Sequence, residues 1–116
     1  MENGIVLIEI DEIKTREKLV DAASNGRTLF YKELRLQNDS PYMSHLKKVI
    51  EKISLYELSH ERPLLCTIVV SDDKDAVPGF GFRVFCEKHG INPDFKLHQK
   101  ECFEKWGNVE FKEKYK

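Results

Sequence analysis

The chain has 116 residues, which is enough for one compact domain and too few for a second core, so we expect a single domain over residues 1–116. Its 19 Lys and Arg nearly balance its 20 Asp and Glu, and the formal net charge of −1 disfavours a protein that holds nucleic acid through a broad basic surface. Its 3 cysteines contain no C-x-x-C pair, which disfavours a secreted scaffold stapled by disulfides. The apolar run near the N-terminus is too short for a signal peptide or a membrane span, so we expect a cytoplasmic protein with no membrane partner.

The first part of the chain predicts two helices joined by a short extended segment. Residues 5–10 are either a short strand or a lead-in that packs its apolar side on the core. Over residues 11–26 the inward apolar positions, Ile13 among them, follow a helical spacing until an Asn-Gly step typical of a C-cap. Residues 28–31 are β-prone, and residues 32–37 predict one or two helical turns.

The longest predicted helix begins at Ser40-Pro41 and runs to Leu58, because Ser is a good N-cap and Pro is favoured at the first helical position. Its apolar residues repeat with a helical period of 3.6 residues. The inward positions are Met43, Leu46, Val49, Ile50, Ile53, Tyr56 and Leu58.

The second part of the chain predicts a strand, a turn and two more helices. Residues 64–70 are apolar and rich in β-branched side chains, which predicts a buried strand. An acidic turn follows at residues 71–75. Residues 82–89 and 92–106 predict helices, and the conformation after Gly107 is left open.

The predicted order is helix, short strand, short helix, long helix, strand and acidic hairpin tip, which is the order of a winged helix. We therefore predict an α+β, mostly helical fold. Its winged-helix-like core would span residues 11–82 and contain a short antiparallel sheet. Residues 83–116 would form a C-terminal helical extension.

Four segments carry a resemblance to a group of small bacterial proteins. The chain has GRT at residues 26–28, YKEL at residues 31–34, RPLLCTIVV at residues 62–70 and PGFGF at residues 78–82. This set resembles the group's pattern of G-R-T-x-x-Y-x-E-L, then R-P-L-L-x-x-x-V-V, then P-G-x-G-F. The likeness covers roughly residues 11–90 and implies a winged-helix-like fold, but no particular activity.

Cys66 carries a looser resemblance to the DNA-binding half of alkylguanine-DNA alkyltransferases, whose nucleophile lies in P-C-H-R-V. Here Leu65, Thr67 and Ile68 stand in place of the Pro, His and Arg of that motif. A reactive thiol needs a base or a positive neighbour, whereas burial among apolar residues raises its pKa. We therefore expect Cys66 to be a packing residue.

Four possible zinc donors occur as C-x2-H-x8-H-x3-C near the end of the chain. They are Cys86, His89, His98 and Cys102. Pairs at i, i+3 and i, i+4 can gather ligands for a tetrahedral zinc ion, but known zinc sites hold one pair in a tight knuckle that is missing here. We expect no metal and no cofactor, with this set as the weak zinc alternative.

The acidic tip and the long helix carry the charges that would meet a partner. A DNA-binding wing lies along phosphates and is normally basic, so three carboxylates at the tip disfavour nucleic acid. The long helix lacks Arg, Asn and Gln, the usual readers of bases, on its exposed face. The candidate partner-binding residues are Asp72, Asp73, Asp75, His45, Lys48 and Lys52.

Together these features favour a non-catalytic protein-binding module over an enzyme. The type of protein that fits best is a bacterial immunity or antitoxin protein that neutralises a toxin domain by direct binding, with charges that steer the partner. The alternative is a winged-helix DNA-binding transcriptional regulator. A remote alternative is an alkyltransferase-like DNA-binding protein.

Overall fold

The computed structural model describes residues 5–7, 9–38, 43–71 and 82–116, without the side chains of residues 35–38 and 43–45. Within these ranges the chain is mostly helical, with one small sheet. The elements are α1 (Ile10–Ser24), β1 (Leu29–Phe30), α2 (Tyr31–Asn38), α3 (Met43–Ser59), a 3₁₀ turn (Leu65–Ile68), β2 (Val69–Val70), α4 (Phe82–His89), α5 (Phe95–Trp106) and α6 (Val109–Tyr115).

The ends of α1 follow local signals in the sequence. At its start the backbone N–H of Glu9 donates to Glu12 Oε1 at 3.3 Å in a capping box. At its end Gly26 has a φ of +66°, and the N–H of Arg27 donates to the carbonyl of Ala22 at 2.9 Å. This arrangement is a Schellman motif, so the predicted Asn-Gly C-cap is confirmed.

The core lies where α1 packs on α3 and α5. Four inward residues predicted for α3 are buried there: Leu46, Val49, Ile50 and Ile53. Two predicted inward positions are wrong, since Leu58 is 39% exposed and Ile13 is 40% exposed. Ile13 lies about 120° around α1 from Leu19, which is fully buried and marks the face that points to the core, so Ile13 falls at the edge of that face.

The predicted strand over residues 64–70 is mostly a 3₁₀ turn, and within it only Val69–Val70 forms a β-strand. Polar side chains hold the turn in place. Ser54 Oγ accepts from the N–H of Cys66 at 2.9 Å, and the hydroxyl of Thr67 donates to the carbonyl of Leu64 at 2.8 Å. Because these side chains satisfy the backbone, the segment needs no strand partner along its length.

The sheet is parallel, so the prediction of an antiparallel sheet is wrong. Leu29 pairs with Val69 and Phe30 pairs with Val70. The chain leaves β1, passes through α2 and α3, and re-enters at β2 in the same direction, as a helical crossover between parallel strands requires. The residues predicted to form the acidic tip, 71–75, lie outside the described residues except for residue 71.

Helices α4 and α5 each contribute two buried side chains to the interior. Phe85 and Cys86 of α4 and Cys102 and Trp106 of α5 are buried. The predicted start of α5 is confirmed, since the carboxylate of Asp94 accepts from a backbone N–H in the first turn. In the part of the chain that the structure describes, no helix has both the length and the apolar character needed to cross a bilayer.

Candidate functional site

The residues predicted to bind a partner are only partly visible in the structure. Asp72, Asp73 and Asp75 lie outside the described residues, as does the side chain of His45. The other two residues of this set, Lys48 and Lys52, are on the outer side of α3.

The two predicted lysines differ in their surroundings. Lys48 is exposed, whereas Lys52 Nζ donates to Glu12 Oε2 at 2.8 Å. Glu12 belongs to α1 and is 6% exposed, so this ion pair joins the two helices. Lys52 therefore stabilises the fold through a partly buried carboxylate, and it has less charge to offer a partner than Lys48.

The weak zinc alternative is not assembled. No three His, Cys, Asp or Glu side chains of the described ranges come together as a metal site would need. His98 Nε2 is 2.7 Å from the carbonyl of Asn92, and the ring of His89 packs on Phe85 with centroids 4.9 Å apart. Cys102 Sγ donates to the carbonyl of Leu64 at 3.2 Å.

Cys66 lies in the surroundings of an unreactive thiol. Cys66 is half-buried, and desolvation raises the pKa of its thiol to about 12, against smaller opposing contributions from the hydrogen bond with Ser54 and from a backbone hydrogen bond. Burial also raises the pKa of Cys102 and of Cys86. Since thiolates are the nucleophilic form, this environment supports packing and disfavours alkyl transfer.

The main polar site inside the protein is a buried carboxylate between two arginines. Glu57 of α3 is fully buried. Arg16 Nε of α1 donates to Glu57 Oε2 at 2.6 Å, and Arg62 Nε donates to Glu57 Oε1 at 2.7 Å. Both arginines are 8% exposed. We call Arg16, Glu57 and Arg62 the buried triad.

Aromatic rings enclose the buried triad. The Cζ of Arg16 lies 5.5 Å from the ring centroid of Tyr56 and 5.5 Å from that of Trp106. The Cζ of Arg62 lies 5.3 Å from Tyr56 and 5.1 Å from Tyr115. These are cation–π distances, so the rings favour the charged guanidinium groups while they exclude water.

Charge in the triad is stabilised by its own contacts. Burial alone would lower the pKa of Arg62, but its hydrogen bond and its attraction to Glu57 outweigh this and raise the pKa. The triad holds two cations and one anion, and Arg16 Nη2 also donates to the carbonyl of Tyr115 at 2.8 Å. Its groups bind one another and hold α1, α3 and α6 together, which is the arrangement of a structural network.

The sequence contained one signal for this triad that the prediction missed. Glu57 falls on the same helical face as Leu46, Ile50 and Ile53, since it lies seven residues after Ile50 and four after Ile53. A carboxylate in an apolar stripe needs a buried cation, and Arg62 is close in sequence. Arg16 is 41 residues away from Glu57, and no local pattern links the two.

A groove of about 250 Å³ lies between α1 and the segment that leads into α2. It carries three cations, three anions and one apolar residue. Its lining consists of Lys14, Glu17, Lys18, Asp21, Arg27, Leu29 and Glu33. Glu33 Oε2 accepts from the N–H of Phe30 at 2.7 Å, so this carboxylate also holds the first turn of α2.

The outward face of α1 continues from this groove. Ile10, Lys14, Glu17 and Asp21 recur at helical spacing, and Ile13 lies beside them. We call these five residues the α1 surface. Ile10 is 64% exposed, and neither Lys14 nor Glu17 forms an ion pair with another described residue. The α1 surface therefore combines exposed apolar side chains with available charges of both signs.

No relative was found that tests the resemblances drawn from the sequence. Comparison of the chain with known proteins gives no matching family model, no matching curated protein and no matching solved structure.

Proposed function

We propose that the chain is a non-catalytic protein-binding module that uses the α1 surface and the adjoining groove to dock its partner. One observation carries the proposal: exposed isoleucines and charges of both signs occupy one continuous helix face, and two of these charges, Lys14 and Glu17, form no ion pair with another described residue. Protein interfaces commonly surround an apolar centre with a polar rim. Ile10 and Ile13 would form that centre, and the charges that follow along α1 would form the rim.

The charge pattern supports a protein partner over a nucleic acid. Phosphates require a surface that is positive over several contacts. Along α1 the cation Lys14 is followed by the anions Glu17 and Asp21, and the groove has three charges of each sign. A protein surface of opposite pattern would pair with both signs, and such complementarity speeds encounter and excludes wrong partners.

The partner class that we propose is a toxin domain, with the chain acting as its immunity protein or antitoxin. A toxin inhibitor must bind quickly and specifically, and matched charges favour both. The exposed Lys48 and the predicted tip residues Asp72, Asp73 and Asp75 would extend the contact with this partner.

Affinity capture from the native host tests this proposal with a matched pair of variants. Ile10→Asp places a carboxylate in the proposed apolar centre. The change suits the fold, because an acidic residue in the first turn of a helix is favoured by the helix dipole. Val84→Asp is the control, since Val84 of α4 is also 64% exposed.

We expect the wild-type chain and Val84→Asp to retain the same stoichiometric protein, and Ile10→Asp to lose it. The purified chain should then suppress the toxic activity of the captured protein. Equal capture by all three baits would refute docking on the α1 surface, and a captured protein whose activity is unchanged would refute neutralisation.

A winged-helix DNA-binding regulator is the second candidate. The order of α1, β1, α2, α3 and β2 supports it, because a winged helix has the same order. The parallel pairing of β1 with β2 and the engagement of Lys52 by Glu12 count against it. Binding to DNA that falls steeply with salt, and that is lost when Lys47 and Lys48 are both changed to Ala, would support this candidate over the first.

A further inference from the structure

The C-terminal helix α6 rests on the buried triad through its side chains and its last carbonyl. The carbonyl of Tyr115 accepts from Arg16 Nη2 at 2.8 Å, and the ring of Tyr115 lies 5.1 Å from the Cζ of Arg62. The ring of Phe111 meets the ring of Trp106 edge-on, with centroids 4.9 Å apart. These contacts form a specific site for α6 on the rest of the molecule.

The outer edge of α6 is held by weaker polar contacts. Lys112 Nζ donates to Ser24 Oγ at 2.9 Å and lies 3.9 Å from Asp21 Oδ1. No residue of α6 is fully buried. Phe111 and Tyr115 pack against the core, so departure of α6 uncovers Trp106 and the triad, but α1 stays packed on α3 and α5.

The connection between α5 and α6 is a hinge of a single extended residue. Gly107 already has helical angles, with a φ of −72° and a ψ of −15°. Asn108 has a φ of −81° and a ψ of 122°, and its side chain accepts from the N–H of Phe111 as the N-cap of α6. Rotation of this one ψ into the helical range would join α5 and α6 into a continuous helix.

A continuous helix would gain backbone hydrogen bonds and empty the site of α6. The amides of Val109 and Glu110 would then bond to the carbonyls of Lys105 and Trp106. The open chain would leave the guanidinium of Arg16 without its carbonyl acceptor and the rings of its site exposed, which is costly. Docking of an identical helix from another molecule removes that cost, because every contact is remade.

We propose that α6 exchanges between two copies of this chain, so that each copy completes the buried triad of the other. The partner is a second copy because the site formed by Arg16, Arg62 and Trp106 is complementary to α6 itself. Exchange of an identical element between two protomers through a hinge gives a closed, two-fold symmetric dimer. The inference goes beyond the proposed function and does not depend on it.

Charge reversal at the outer edge tests the exchange at the exposed Asp21 and the half-buried Lys112. Lys112→Glu places a carboxylate beside the chain's own Asp21, and Asp21→Lys places an ammonium beside the chain's own Lys112. When the two variants are mixed, both sites of an exchanged heterodimer are matched, whereas both monomers are mismatched. The chain that carries both substitutions is the control, because it restores the match within one molecule.

The measurement is light scattering coupled to size-exclusion chromatography, after incubation on the order of 1 mM, a typical effective concentration for short linkers. One surface ion pair changes the equilibrium constant between monomer and exchanged dimer by up to about fivefold. We therefore expect the dimer fraction of the mixture to exceed that of either variant alone by roughly fivefold or more. A mixture as monomeric as its components overturns the proposal. A double variant that dimerises as well as the mixture also overturns it.

The hinge itself gives a second test in the unmixed protein. Asn108→Ala removes the N-cap and favours the continuous helix, whereas Asn108→Gly is a tolerated N-cap and disfavours it. We expect the dimer fraction of Asn108→Ala to be roughly fivefold that of Asn108→Gly, from their difference in helix propensity. Equal dimer fractions in the two variants would contradict exchange through this hinge.

Discussion

Replacement of Glu57 by Gln removes the one anion of the buried triad and keeps the shape of the side chain. In the wild-type protein this carboxylate accepts from Arg16 Nε at 2.6 Å and from Arg62 Nε at 2.7 Å. After the substitution two guanidinium groups, each on a residue that is 8% exposed, face a neutral amide. The amide nitrogen has no lone pair for either donor, so one of the two hydrogen bonds is lost as well.

The expected cost is large because the charges cannot be hydrated. Removal of one partner from a buried ion pair costs about 3–5 kcal/mol, since it leaves an uncompensated charge in the interior. Proteins of this size have a total stability of about 5–15 kcal/mol, so the loss takes a substantial fraction of it. Near the melting temperature, 1 kcal/mol corresponds to about 4 °C, and we expect Tm to fall by roughly 12–20 °C.

Urea unfolding followed by circular dichroism, with thermal unfolding as the second observable, measures the loss. The matched control is Glu51→Gln, the same substitution on the exposed side of the same helix. It should change the free energy of unfolding by less than about 0.5 kcal/mol, as surface substitutions do. If Glu57→Gln costs no more than Glu51→Gln, the account of a buried triad that holds three helices together is refuted.

Three further predictions concern the fold around the proposed surfaces. Gly26→Ala should cost about 1 kcal/mol in urea unfolding, because Gly26 has a φ of +66° and nothing within 4 Å of an added Cβ, which leaves backbone strain as the cause. Lys52→Met should cost roughly 1 kcal/mol, because it leaves the carboxylate of Glu12 without its cation, whereas Lys48→Met on the exposed face should cost almost nothing; equal losses would contradict the ion pair. Cys66 should resist thiol reagents at pH 8 until the protein unfolds, because its pKa is raised to about 12 from 9.0. The stability that the protonated thiol contributes below pH 9 should be lost as the pH rises towards 12, because the thiol ionises first in the unfolded chain. Rapid labelling of the native protein at pH 8 would contradict the raised pKa of Cys66.

The ends of α1 and α4 and the start of α5 could be predicted from the sequence because their signals are local. Gly26 and Gly90 end α1 and α4 with φ values of +66° and +65°, a conformation that glycine adopts without strain. Asp94 begins α5 by accepting a hydrogen bond from the amide of Leu97. Each signal acts within a few residues of the helix end that it determines, so reading along the chain was sufficient.

The strand and the sheet could not be predicted in the same way. The β-branched run at residues 64–70 predicts extended structure, but Ser54 of α3 binds the amide of Cys66 and Gln99 of α5 binds the carbonyl of Thr67. These contacts join segments that are far apart in the sequence, and they override local propensity. The direction of the sheet depends on where α2 and α3 carry the chain, which no local pattern determines.

The α1 surface could not be predicted from the sequence for a related reason. Charges on the long helix and on the acidic tip predict a different contact surface, which stays a prediction, and the helical spacing places Ile13 in the core. A helical pattern with apolar residues on several sides does not by itself say which side packs inward. The buried triad was missed because Arg16 and Glu57 meet only through the packing of α1 on α3.

The central claim is that the α1 surface docks a protein partner, and a comparison of affinities tests it most directly. Isothermal titration calorimetry of the captured partner should be carried out with the wild-type chain, Ile10→Asp and Val84→Asp. We expect Ile10→Asp to raise Kd by roughly tenfold or more, since burial of a carboxylate in an apolar interface centre costs more than 1 kcal/mol. Val84→Asp should leave Kd within about twofold of wild type. Equal affinities for the wild-type chain and Ile10→Asp would contradict the account.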